Sequence, residues 1–221
     1  MKKKIALLLL TVMTMSLIGC GEKDTTGSND DAGNNDTVVE DNAADDNQDN
    51  SDKDTEADNT VPGTETAESA IGVLQSVWAN YEDDNKFAAG GGDSHNMVMD
   101  EPGEFDATNT EELDATLGFP TDYADKIDEA ASLMHMMNAN TFTGGAYHVT
   151  NTEDVSAVCD ALKENIMNRQ WMCGFPETLI IVTVDDNYVI SAFGNGQIIE
   201  YFKNKLTGTF ANVTVVYEES L

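Results

Sequence analysis

The side chains with the widest chemical reach in this chain are three histidines, a scatter of methionines and the cysteines. His95 lies just before Met97 and Met99, His135 sits inside Met134-His135-Met136-Met137, and Cys173 follows Met172. Thioether, thiolate and imidazole are soft ligands that suit monovalent copper. The spacing supplies neither a repeating Met-x-x-Met ladder nor a Cys-x-x-Cys pair, and methionine fills apolar cores readily. His148 falls on a strand-like run, Ala146–Thr150, opposite Tyr147 and Val149, and reads as a packing residue. His95, His135, His148 and Cys173 are the candidate metal or catalytic residues. The expectation drawn from their spacing is that no metal and no cofactor is bound.

Two further patterns touch on chemistry. Trp171-Met172-Cys173-Gly174-Phe175-Pro176 echoes a thioredoxin motif but lacks its second cysteine, and it follows a helix rather than a strand. A disulfide between Cys159 and Cys173 is disfavoured by reach. Cys159 sits about 15 Å before the expected helix end near Arg169. Four residues return at most about 14 Å, and a disulfide needs Cα atoms within about 7 Å. Acidic groups at Glu82, Asp83, Asp84 and Asp93 flank a glycine run without the Asp-x-Asp-x-Asp-Gly spacing of a calcium loop.

The N-terminus carries a sharper signal. Lys2, Lys3 and Lys4 precede an unbroken apolar run from Ile5 to Leu10, and Leu17-Ile18-Gly19 leads into Cys20. A basic head, a short apolar stretch and small residues at the cut site form a secretory signal, too short to span a membrane comfortably. The cysteine directly after Leu-Ile-Gly makes it resemble a bacterial lipoprotein signal, which implies acylation of Cys20 as the first mature residue. Residues 1–19 are thus read as signal peptide. The implied location is the extracytoplasmic face of the cell membrane, held by lipid.

Composition then divides the mature chain. Residues 21–65 hold 15 acids, 2 lysines and only Val38, Val39 and Val61 as large apolar side chains. Such a segment buries too little apolar surface to offset its ordering entropy. Residues 20–65 are read as a lipidated cysteine followed by a disordered acidic tether, of roughly 35–40 Å end to end before charge repulsion stretches it. Residues 66–221 carry 26 acids and 6 bases. That balance excludes nucleic acid as a partner, because phosphate binding needs a basic face. The length suits a single domain with its own core.

The elements that would position the candidates follow from periodicity. Ile71, Leu74, Val77, Trp78 and Tyr81 predict a helix over 68–81. Residues 88–93 predict a loop, 97–99 a short strand, and Thr110 the cap of a short helix ending at Gly118. Tyr123, Ile127, Ala130, Ala131, Met134 and Met137 predict a helix over about 122–138, with Thr143-Gly144-Gly145 as a break. The second half reads as strand 146–150, a helix capped by Asn151 or Thr152 with Val155, Val158, Cys159, Leu162 and Ile166 inward, strand 179–184, a turn at Asp185-Asp186-Asn187, and strand 188–193. A helix capped by Asn195 and a last strand around Val213, Val215 and Tyr217 complete it. The predicted class is α+β: a C-terminal βαββαβ ferredoxin-like sheet, both crossover helices on one face and the N-terminal helices packed on it from the other.

The runs Ala130-Ala131-Ser132-Leu133-Met134-His135-Met136-Met137-Asn138-Ala139-Asn140 and Trp171-Met172-Cys173-Gly174-Phe175-Pro176 resemble a group of uncharacterised cell-surface lipoproteins of Gram-positive anaerobes, some loosely labelled bacteriocin transport accessory proteins. The resemblance covers most of 86–221. It implies a shared domain and a surface location, and no catalytic residue. The expected function is a non-enzymatic binding or accessory domain for an envelope protein or peptide. The alternative is a redox, metal-handling or transport-accessory protein using Cys173 with nearby His and Met side chains.

Overall fold

The computed structural model describes residues 63–172 and 174–221. The signal segment, Cys20, nearly all of the acidic tether and Cys173 lie outside the described residues. The class is α+β: an eight-stranded sheet, antiparallel at every pairing, with helices on both faces. Among the described residues no helix is long and apolar enough to cross a membrane.

The first helix, α1 (Ala70–Ala79), starts at Ser69, whose hydroxyl accepts the Gly72 N–H. It buries Ala70, Val73, Leu74, Val77 and Trp78. Leu74, Val77 and Trp78 belong to the predicted stripe, and Tyr81 just past the helix is buried too, but Ala70 and Val73 lie outside that stripe and Ile71 is only half-buried. Three short strands follow: β1 (Ala89–Gly91), β2 (Val98–Met99) and β3 (Gly103–Phe105). The glycine run at 88–93 is therefore not loop throughout. β1 and β3 both pair with the same edge of the next strand and cross so closely that a Cβ on Gly91 would lie 2.1 Å from the Gly103 nitrogen. Only glycine permits that approach. A one-turn helix, α2 (Thr110–Glu112), is capped by Asn109 rather than Thr110, runs into a π-helical turn at Leu113–Leu117 and ends at Gly118.

The largest departure from the sequence reading comes next. Residues 121–126 form a 3-10 turn, and Ile127–His135 is a strand, β4, not the second half of a helix. Residues Ala130 to Leu133 are all buried: Ala131 and Leu133 pack with α1 on one face, and Ala130 packs with Phe105 and the 113–119 turns on the other, while β3 pairs alongside. A strand buried on both faces loses its alternation, and its apolar positions can mimic helical spacing by chance. Met137, assigned to the inner stripe, is 82% exposed. β5 (Phe142–Val149) runs through the expected break at Gly144-Gly145. The Tyr147 ring lies over Gly145, whose Cβ would sit 2.2 Å from the phenol oxygen.

The remaining elements match the predicted order: α3 (Val155–Met167), β6 (Thr178–Val184), β7 (Tyr188–Gly194), α4 (Gly196–Thr209) and β8 (Val213–Ser220). The sheet order is β2-β1-β4-β5-β7-β6-β8. A ferredoxin-like sheet would place β8 beside β5. Here β4 occupies that edge and β8 pairs with β6 instead. The two crossovers, β5-α3-β6 and β7-α4-β8, then move in the same direction across the sheet from antiparallel strands. Right-handed connection sends such helices to opposite faces. Accordingly α1 and α4 pack with Ile180, Val182, Val184, Ile190 and Ala192 on one face. α3 and the 113–126 turns pack with Leu179, Ile181, Val189 and Phe193 on the other. The expectation of both crossover helices on one face is corrected by this arrangement.

Candidate functional site

The three histidines occupy separate places. His148, on β5, is held at both ring nitrogens: Nδ1 is 2.5 Å from Asp128 Oδ1 and Nε2 is 2.6 Å from Asn187 Nδ2. With the Asn187 amide donating to Nε2, Nδ1 carries the proton and donates to Asp128. Both ring nitrogens are therefore engaged by neighbouring side chains. The ring also packs on Tyr188, with centroids 5.0 Å apart, which agrees with the packing role read from the strand pattern.

His135 closes β4 and stacks on Phe87, at 5.2 Å and 20° between planes, while its Nδ1 accepts the Met137 N–H. His95 sits on the exposed loop between β1 and β2, where Nδ1 meets the Ser94 hydroxyl at 3.2 Å. Among the described residues no three His, Cys, Asp or Glu side chains gather in a metal-holding arrangement. Cys159 is a free thiol on the buried face of α3, and burial beside Asp160 pushes its pKa up to about 12. Such a thiol carries almost no thiolate at neutral pH. Among the described residues His95, His135, His148 and Cys159 thus occupy separate places, and Cys173 lies outside them.

A groove of about 650 Å³ that no sequence motif marks lies between the outer side of α1 and the β2–β3 segment. Ile71, Val98 and Phe105 give it apolar walls, and Glu101, Glu104 and Asp106 make it acidic. Its shape depends on Asp93, which is only 3% exposed. Oδ1 of Asp93 accepts the N–H groups of His95 and Asn96 at 2.8 and 2.9 Å, and Oδ2 accepts that of Asp106 at 3.0 Å. Burial opposes ionisation of this carboxyl, but those amide donors and the Asn96 side chain outweigh it and hold its pKa below the ordinary aspartate range. The sequence groups Asp93 with acids that lack calcium-loop spacing and reads them as a solvated loop; the fold instead buries Asp93 and spends it on organising that loop. Deeper in, Ser132 on β4 accepts from Gly92 N at 2.8 Å and donates to Gly92 O at 3.0 Å, fixing the β1 end.

The methionines contribute a different surface. Met99 lies across from Gly90, which pairs with Met134 near the end of β4. Met136 and Met137 follow that strand, and the Met136 sulfur lies over Gly90. β5 and β6 begin at the same end of the sheet, since Phe142 and Thr178 both pair with Gly194. The loop before β6 is tied to the β4–β5 turn by Asn140, whose Nδ2 donates to the Met172 and Gly174 carbonyls at 3.1 Å each. One end of the sheet therefore carries Met99, Met136, Met137, Met172 and Phe175, the last three between 77% and 82% exposed. Four of these five residues belong to runs that the sequence singles out as soft-ligand candidates. Their assembly into one rim depends on strand pairing between distant segments. Comparison with family models, with curated proteins and with solved structures finds no match to this chain.

Proposed function

We propose that this chain is a lipid-anchored module on the extracytoplasmic face of the membrane that binds an envelope protein or peptide and performs no chemistry of its own. The rim at the end of the sheet is the observation that carries the reading. A domain with 26 acids and 6 bases keeps three large apolar side chains almost fully exposed at one end. Methionine and phenylalanine spend little hydrogen-bonding potential on water and adapt to irregular apolar partners. Two copies of so acidic a domain repel one another, so a different protein is the better occupant. The anchor at Cys20 and the tether supply location and reach.

Crosslinking on intact cells before lysis, followed by co-purification, tests the binding role. Met137→Glu and Phe175→Glu together should abolish the crosslinked partner while leaving the domain folded. Recovery of the same partner at the same yield would refute the rim as the binding surface. The anchor is tested separately: Cys20→Ser should release the protein from the membrane fraction, and unchanged partitioning would refute lipidation.

A further inference from the structure

The two ends of the sheet are finished differently. At one end the outermost strand, β2, is two residues long and stops at Asp100, whose backbone turns to φ 62 and whose N–H returns to the Ala89 carbonyl. That edge is blunted in the usual manner, by shortness and a turn. At the other end β8 runs for eight residues and pairs with β6 along one side only. Among the described residues no backbone group hydrogen-bonds to its outer side.

β8 bears two features that ordinarily guard an edge, a register shift and charged side chains, and the charged side chains are engaged by helix lysines. Its register shifts around Val216, between the pairs Ile181–Tyr217 and Val182–Val215, and leaves Val215 and Val216 40% and 36% exposed. Glu218 is paired with Lys203 of α4 at 3.1 Å, and Glu219 with Lys163 of α3. Each glutamate is thus drawn toward a helix on its own face of the sheet, although Lys203 is shared with Glu200 at 2.6 Å. The wider field is strongly negative. The five lysines of residues 66–221 all lie in ion pairs, against 26 acids.

We propose that the outer edge of β8 is a strand-addition site for an extended segment of a partner protein that carries lysine or arginine alternating with apolar residues. An open edge supplies main-chain hydrogen bonds, as in other β-augmentation complexes. Val215 and Val216 supply apolar contact, and the net negative domain draws a basic segment and repels a second copy of itself. The site is distinct from the methionine rim and does not depend on it.

The test uses the mature chain and an eight-residue peptide alternating lysine and valine. The controls are a glutamate–valine peptide and a lysine–valine peptide N-methylated at alternate amides. The lysine peptide should bind, slow amide exchange along 213–220, and weaken with added salt. N-methylation or the change to glutamate should each cost about tenfold or more in affinity. Equal binding of the N-methylated peptide, or binding without protection of β8, would overturn strand addition in favour of charge attraction alone. Protection of β8 that grows with protein concentration in the absence of peptide would overturn it in favour of self-pairing, and so would a failure to bind at all. The Met137→Glu, Phe175→Glu double variant should bind the peptide unchanged, so the two surfaces can fail separately.

Discussion

Replacing Asp93 with asparagine tests whether one carboxylate shapes the groove beside α1. The amide keeps an oxygen for the His95 and Asn96 N–H groups but turns an NH₂ toward the Asp106 N–H, so that donor meets donor. A hydrogen bond to a charged acceptor is worth about 1.5–3 kcal/mol and a neutral one about 1 kcal/mol. Losing one such bond and weakening two others amounts to about 2–4 kcal/mol once the loop relaxes. For a chain of 150–250 residues this corresponds to a fall in Tm of roughly 5–15 °C. Urea and thermal unfolding of the mature chain, followed by tryptophan fluorescence, measures it, with the exposed Glu104→Gln as a control expected to change little. The pH dependence adds a second criterion. A carboxyl whose pKa is depressed in the folded state contributes stability above its unfolded pKa of about 3.9, and this is lost as pH falls through the folded value. The gap between wild type and Asp93→Asn should therefore hold from neutral pH to about 4 and close below it. A cost under about 0.5 kcal/mol at pH 7, or a gap that stays constant into strong acid, would refute the reasoning.

Leu162 is fully buried under the sheet on the α3 face, and Leu162→Ala is expected to cost about 2–5 kcal/mol in denaturant unfolding. Gly103→Ala would place a Cβ 2.5 Å from the Gly92 nitrogen, backbone against backbone. It should destabilise more than Leu162→Ala and distort the groove, which loss of the Gly92 amide's exchange protection would report. Ser132→Ala removes both bonds to Gly92 and should cost about 1–3 kcal/mol. Cys159, with its thiol pushed up to about 12 by burial and Asp160, should resist alkylation at pH 8 until the domain unfolds. Modification of Cys159 in the folded protein, located by mass spectrometry of its tryptic peptide, at the rate of an unstructured thiol would contradict its place in the core.

Local side-chain chemistry makes part of the fold legible before any tertiary contact is known. The stripe of α1, the Asn195 cap that accepts the Gln197 N–H, and the hairpin in which Asp185 takes φ 50 are written in a few neighbouring residues. So is the element order of the second half. These signals rest on side chains that satisfy backbone groups two to four positions away, and no distant partner is needed to read them. The remainder depended on contacts between segments far apart in the chain. Whether 127–135 became strand or helix turned on pairing with β3 and β5 and on cover from both faces, α1 on one and the 113–119 turns on the other, which erased the alternation that marks a strand. Once β4 took the free edge of β5, β8 was left to pair with β6, and the handedness of the crossovers placed α3 and α4 on opposite faces. The same pairings collected Met99, Met136, Met137, Met172 and Phe175 into one rim, and left His95, His135 and His148 apart. Residue type announced a possible chemistry. Which of those residues meet was fixed by long-range strand register, which a local pattern does not encode.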